Sequence, residues 1–66
     1  MGGTEAVSPY QRNRLRTLVQ GHPGRTAAEL ETLLSISERI LFARVLRSTR
    51  ECCMVRMDND GRIWAT

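Results

Sequence analysis

Arginine recurs along one stretch of the chain at a spacing that could serve the binding of a polyanion. Residues 37–50 read Ser-Glu-Arg-Ile-Leu-Phe-Ala-Arg-Val-Leu-Arg-Ser-Thr-Arg, and they hold four of the ten arginines in a chain that has no lysine. The planar guanidinium group suits bidentate contacts to phosphate and to guanine. This stretch is therefore the candidate for binding chemistry.

A helix over these residues separates them into two faces, at about 100° per residue. One face is predicted to pack on a core, and it holds Leu41, Phe42, Val45, Leu46 and Thr49. The opposite face is cationic and hydrogen-bonding, with Ile40 and Ala43 among Ser37, Arg39, Arg44, Arg47, Ser48 and Arg50. A solvated helix face without a ligand is the plainer interpretation of the same pattern.

Length and composition exclude several classes of function. A chain of 66 residues forms one domain with a modest core, so a cleft between domains is not expected. The adjacent Cys52 and Cys53, with the single His22 about thirty residues away, do not form a zinc site, and we interpret them as small apolar residues in a reducing compartment. No hydrophobic run reaches the roughly 18 residues of a membrane span, and no signal peptide is visible. We expect a cytoplasmic protein.

Catalysis has little support in the sequence. There is no Ser-His-Asp set, no carboxylate pair with a plausible cleft, no glycine-rich phosphate loop and no cluster of metal ligands. We therefore predict no enzyme activity, no cofactor, no metal and no small-molecule substrate.

Two helices are predicted to precede the arginine-rich one. Residues 1–7 are expected to form a loose tail before a domain over residues 8–66. Ser8, followed by Pro9 and Gln11, has the pattern of a capping box that opens a first helix ending at Gly21. Thr26 with Glu29 predicts a second, short helix through Leu34. Either Ser35 or Ser37 can cap the third helix.

After Arg50 the apolar pattern changes towards a period of two residues. Cys53, Val55 and Met57 alternate, the run from Asp58 to Gly61 predicts a turn, and residues 62–66 are predicted to form the return strand. Ile63 and Trp64 are neighbours, so only one of them can face the core. The predicted fold is α+β, with three helices and a C-terminal two-stranded hairpin.

This order of elements resembles a winged helix-turn-helix domain over residues 8–66. The run from Arg25 to Ser37, Arg-Thr-Ala-Ala-Glu-Leu-Glu-Thr-Leu-Leu-Ser-Ile-Ser, is similar to the helix-turn-helix opening of many bacterial regulators. Size and layout resemble those of small bacterial, plasmid and phage regulators. Between Ile36 and Arg44 the chain has one residue more than the usual pattern, which implies a longer turn or a shifted phase of the third helix.

A weaker likeness is to the Z-form nucleic-acid-binding domains, through Arg44-Val45-Leu46 and Trp64. Those domains use an Asn and a Tyr on the recognition helix, where this chain has Ala43 and Arg47. Their Pro pair before the wing Trp is replaced by Arg62-Ile63.

The main resemblance implies binding of double-stranded DNA, with helix 37–50 in the major groove and hairpin 53–66 as the wing. Arg50 is expected to clamp a phosphate or to pair with Glu51 or Glu38, and the start of the second helix could take a phosphate. The complete predicted set is Thr26, Ser37, Arg39, Ala43, Arg44, Arg47, Arg50, Arg56 and Arg62.

Two functions stay open at this point. The first is a small regulator of transcription or of mobile-element functions, which binds DNA as a dimer or beside a second protein and is nucleoid-associated when bound. The alternative is a winged helix that binds protein, such as a phage or plasmid inhibitor or adaptor for a host protein, because Ile40 lies within the basic face.

Overall fold

A computed structural model of the protein describes residues 7–66, which form a small α+β domain. Within this range lie three helices, α1 (Pro9–Gly21), α2 (Ala27–Glu31) and α3 (Ile36–Glu51), and three strands, β1 (Arg25–Thr26), β2 (Val55–Met57) and β3 (Arg62–Ala65). The predicted α+β class is confirmed. Most of the tail predicted for residues 1–7 lies outside the described residues.

Each helix begins at a capping box. The hydroxyl groups of Ser8, Thr26 and Ser35 accept hydrogen bonds from the backbone N–H three residues later, and the side chain of that later residue accepts from the backbone N–H of the cap. The caps of α1 and α2 are those predicted. Of the two candidates for α3, Ser35 is the cap, which places Ser37 inside the first turn.

The second helix is shorter than predicted. We expected it to continue through Leu34, but α2 ends at Glu31. The Thr32 hydroxyl donates to the carbonyl of Glu29 at 2.6 Å, and the N–H groups of Leu33 and Leu34 bond to carbonyls only three residues back. These local bonds tighten the chain into a turn, because they replace the helical bonds to the fourth residue back.

The C-terminus of α3 closes on a residue in the left-handed region. Cys53 has φ 59°, and its N–H donates to the carbonyl of Arg50, while the N–H of Met54 donates to that of Thr49, both at 3.0 Å. This is the Schellman arrangement, in which glycine is the usual left-handed residue. Cys52 and Cys53 are both free and exposed.

The sheet has three strands, so the predicted two-stranded hairpin is incomplete. β3 is the central strand and is antiparallel to both neighbours, with Arg25 opposite Ile63 on one side and Arg56 opposite Trp64 on the other. β2 starts at Val55, two residues later than expected. β1 escaped prediction because two residues cannot display an alternating pattern.

The core lies between the helices and one face of the sheet. Its buried apolar side chains are Leu15, Val19, Leu30, Phe42, Leu46, Val55 and Ile63. Ile63 is therefore the member of the Ile63-Trp64 pair that faces inward. Thr49 is also fully buried, and its hydroxyl donates to the carbonyl of Val45 at 2.6 Å, so its polar group is satisfied.

None of the helices in residues 7–66 combines the length and apolar character that a bilayer crossing requires.

Candidate nucleic-acid interface

The third helix presents one continuous exposed stripe along its length. We call this stripe, with the residues flanking it, the outer face of α3. Its exposed residues are Ile36, Ser37, Arg39, Ile40, Ala43, Arg44, Arg47 and Arg50. On the opposite side Phe42, Leu46 and Thr49 are buried, and Leu41 and Val45 are half-buried. The two predicted faces are thus confirmed except at Ser48, which is half-buried and whose hydroxyl accepts from Arg12 of α1 at 3.3 Å.

The N-terminal half of the outer face is more apolar than its arginine content suggests. Ile36 and Ile40 are each 78% exposed, and they stand one turn apart. Ser37 lies beside them, with its hydroxyl 3.2 Å from that of the cap, Ser35. Two exposed isoleucines therefore lie at the same end of the helix as Ser37 and Arg39, which the sequence predicted to bind DNA.

The side chain of Arg39 forms a hydrogen bond within the domain. Its Nε donates to the carbonyl of Glu31 at 2.9 Å, which also accepts from the N–H of Leu34 in the turn after α2. The guanidinium thus ties the start of α3 to the end of α2. A contact from Arg39 to an external ligand would have to use the remaining N–H groups or give up this bond.

The C-terminal half of the outer face is cationic. Arg44, Arg47 and Arg50 are all exposed there. Arg47 lies 3.7 Å from the carboxylate of Glu51, and because the two side chains are 83% and 70% exposed, water weakens this pairing. Glu38 pairs with Arg14, so neither carboxylate that the sequence offered to Arg50 forms an ion pair with it.

The predicted wing residues are partly engaged within the sheet. Arg62 donates from Nη1 to the carbonyl of Gly24 at 2.8 Å, and the guanidinium of Arg56 lies 5.8 Å from the centre of the Trp64 ring. Trp64 in turn donates from Nε1 to the carboxylate of Asp58 at 3.0 Å. These contacts build a cluster on the outer side of the sheet, and they leave Trp64 half-buried instead of open for stacking on a base.

Thr26 performs a structural task at the start of α2. Its hydroxyl accepts from the N–H of Glu29 at 3.2 Å, and its own N–H donates to the Glu29 carboxylate at 2.9 Å. The carboxylate of Glu29 also stands about 4.0 Å from Arg25. A phosphate bound here would meet that carboxylate, so Thr26 is the less favourable of the predicted phosphate contacts.

Hydrogen bonds lower the pKa of three carboxyl groups in the domain. The pKa of Glu29 is lowered chiefly by the bond from the Thr26 backbone, that of Glu38 by Arg14, and that of Asp58 by the Trp64 indole N–H. The same ion pair raises the pKa of Arg14. Glu29, Glu38 and Asp58 therefore carry a full negative charge at neutral pH.

Sequence reasoning missed an apolar groove between α1 and α3. Its volume is about 700 Å³, and its apolar lining consists of Tyr10, Leu15, Leu18, Leu33, Leu34, Leu41, Phe42 and Val45. Tyr10 is 70% exposed and Leu33 48% exposed. The sequence predicted that α2 continues to Leu34, which would have placed Leu33 and Leu34 on the same apolar stripe as Leu30. Because α2 instead ends at Glu31, the groove could not be predicted from that pattern.

Comparison of the chain with protein-family models, with curated proteins and with solved structures gave no match.

Proposed function

We propose that the chain is a small winged helix-turn-helix protein that binds double-stranded DNA, as a regulator of transcription or of mobile-element functions. Helix α3 enters the major groove, and the β2–β3 hairpin serves as the wing. The succession of a helix, a helix-turn-helix pair and a hairpin supports this assignment.

The observation that carries the proposal is the outer face of α3. Its C-terminal half presents Arg44, Arg47 and Arg50 to solvent, while the opposite side of the same helix packs in the core. Arginine side chains projecting from a rigid, buried scaffold can approach DNA phosphates without rearrangement of the domain. The formal net charge of +3 further favours approach to a polyanion.

Contacts within the domain support different roles for different members of the predicted set. In the proposal, Arg44, Arg47 and Arg50 form the phosphate and base contacts, and Ser37 and Ala43 lie on the same outer face of α3. Arg56 and Arg62 contribute positive charge from the wing, although both also hold contacts within the domain. Thr26 and Arg39 act mainly in positioning the helices.

Charge reversal on α3 tests the proposal. Arg44→Glu/Arg47→Glu should abolish the mobility or polarisation shift that wild-type protein produces with a mixed-sequence duplex at low salt. Arg44→Gln/Arg47→Gln, which changes the net charge by −2, should also lose binding. Asn13→Glu/Thr17→Glu makes the same change of −2 at two exposed positions of α1 and should retain binding. Equal loss in these two matched variants would make the effect one of net charge, and circular dichroism should show that all the variants remain folded.

Protein binding is the second candidate function, and the 78% exposure of Ile36 and Ile40 favours it. It predicts that the wild-type protein shifts no duplex at micromolar concentration, even at low salt. Pairing of two copies remains a prediction in either case, and sedimentation velocity over a range of concentrations tests it.

A further inference from the structure

The exposed isoleucines occupy the part of α3 that would lie closest to base edges. Ile36 is the first residue of the helix and Ile40 follows one turn later, with Ala43 continuing the stripe at the next turn. Residues at the N-terminal end of a recognition helix are those that contact bases in helix-turn-helix complexes. The C-terminal half of the outer face, from Arg44 onward, is cationic.

The polar residue best able to read a base in this region is committed elsewhere. Arg39 Nε donates to the Glu31 carbonyl at 2.9 Å, across the turn between α2 and α3. The base-reading end of the helix is therefore dominated by branched apolar side chains. In the major groove, the apolar group that a base pair offers is the C5-methyl group of thymine.

We propose that the outer face of α3 reads thymine through this methyl group, with Ile36 and Ile40 as the contacting side chains. The inference rests on the proposed DNA-binding function and names the bases to which that function is directed. Arg44, Arg47 and Arg50 set the position of the helix on the backbone, and the isoleucines supply the preference for T-containing sites. Water leaves both the isoleucine and the methyl surfaces on contact, which stabilises the complex.

Replacement of thymine by deoxyuridine removes only the methyl group and is the direct test. Duplexes are first selected by the wild-type protein from a random-sequence library, and each is then prepared with thymine or with deoxyuridine. Fluorescence polarisation measures the affinity for both forms. The loss should be about fourfold for each methyl group contacted, the value expected for burial of one such group.

Two serine variants provide the comparison. Ile36→Ser/Ile40→Ser should bind the thymine and deoxyuridine duplexes equally, since its contact with the methyl group is lost. Leu33→Ser makes the same chemical change at an exposed leucine in the turn before α3 and should keep the wild-type ratio. Because these side chains lie outside the core, the variants should fold, as circular dichroism can verify.

The outcomes separate the inference from the function on which it rests. If the wild-type protein binds DNA in a salt-dependent way but with equal affinity for the thymine and deoxyuridine duplexes, thymine reading is overturned while DNA binding stands. Failure to bind any duplex would overturn both. Equal affinities together with a smaller sedimenting species for Ile36→Ser/Ile40→Ser would assign the isoleucines to contact with a second copy of the chain, against the proposal.

Discussion

Trp64 shows how single side chains fix the outer side of the sheet. Its indole N–H donates to Asp58, Arg56 lies over its ring, and its ring edge packs on Gly24. The alternation of residues in β3 turns Trp64 away from the core that Ile63 enters. Trp64 consequently joins the hairpin to the turn before β1, and it is also the only tryptophan available as a spectroscopic probe.

Gly24→Ala should destabilise the domain more than Gly61→Ala. Both glycines have positive φ, 76° and 79°, so each alanine should cost about 1 kcal/mol from backbone conformation. A methyl group at position 24 would also lie 2.9 Å from the Trp64 ring, whereas position 61 is open, so Gly24→Ala should cost a further 1–3 kcal/mol or so. Urea unfolding followed by Trp64 fluorescence measures both, and equal losses would contradict the close packing.

Asp58 should make stability fall as the pH is lowered. The indole N–H of Trp64 and the backbone N–H of Arg62 lower the pKa of Asp58 below its ordinary 3.8 in the folded state. A carboxyl group with a lowered folded pKa stabilises the fold above its unfolded pKa, and this contribution is lost as the pH falls through the folded pKa.

Asp58→Asn should therefore lower stability at neutral pH and flatten its decline below about pH 4. Glu29 and Glu38 titrate in both proteins, so the difference between the two urea-unfolding series isolates Asp58. Asp60→Asn changes a charge in the same turn and serves as the control. An acid decline in Asp58→Asn as steep as that of wild type would contradict the assignment.

The helices are defined chiefly by their ends. Three capping boxes, at Ser8, Thr26 and Ser35, fix where each helix starts, and these sequence signals are local enough to be predicted. The C-terminus of α3 is less regular, since Cys53 occupies the left-handed position of its Schellman motif. A cysteine there is more strained than a glycine would be.

Cys53→Gly should raise the free energy of unfolding by about 0.5–1 kcal/mol, because glycine adopts the left-handed conformation without a Cβ penalty. Cys52→Gly, at a neighbouring residue with φ −84°, should instead destabilise the domain. Urea unfolding of the two variants checks the pair. Destabilisation by Cys53→Gly would show that the helix ends differently.

The sequence predicted the helices and the hairpin turn better than it predicted the contacts between distant residues. The three helices, the turn at Gly61 and the two faces of α3 follow from caps and periodicity. Strand β1 depends on pairing with Ile63 and Arg62 of β3. The early end of α2 depends on the hydrogen bond from the Thr32 hydroxyl. No periodic pattern in the sequence reveals either contact. For the same reason the use of Arg39 and Arg62 as internal donors could not be predicted, since their carbonyl partners are distant or in turns.

Within residues 7–66, two surfaces stand out as candidates for contact with a partner. One is the outer face of α3, apolar at its start and cationic at its end. The other is the groove between α1 and α3, whose apolar lining consists mainly of leucines. A chain of 66 residues has a small surface, so the positions of these two candidate surfaces bear directly on what it binds.

Salt dependence tests DNA binding by the outer face of α3 most directly. Arg44, Arg47 and Arg50 should each displace counterions from the phosphates, so the logarithm of the association constant should fall with that of salt concentration at a slope of about −3. Arg44→Glu/Arg47→Glu should show no measurable binding at any salt. A wild-type protein that shifts no mixed-sequence duplex at low salt, or binds with a slope near zero, would contradict the proposed function.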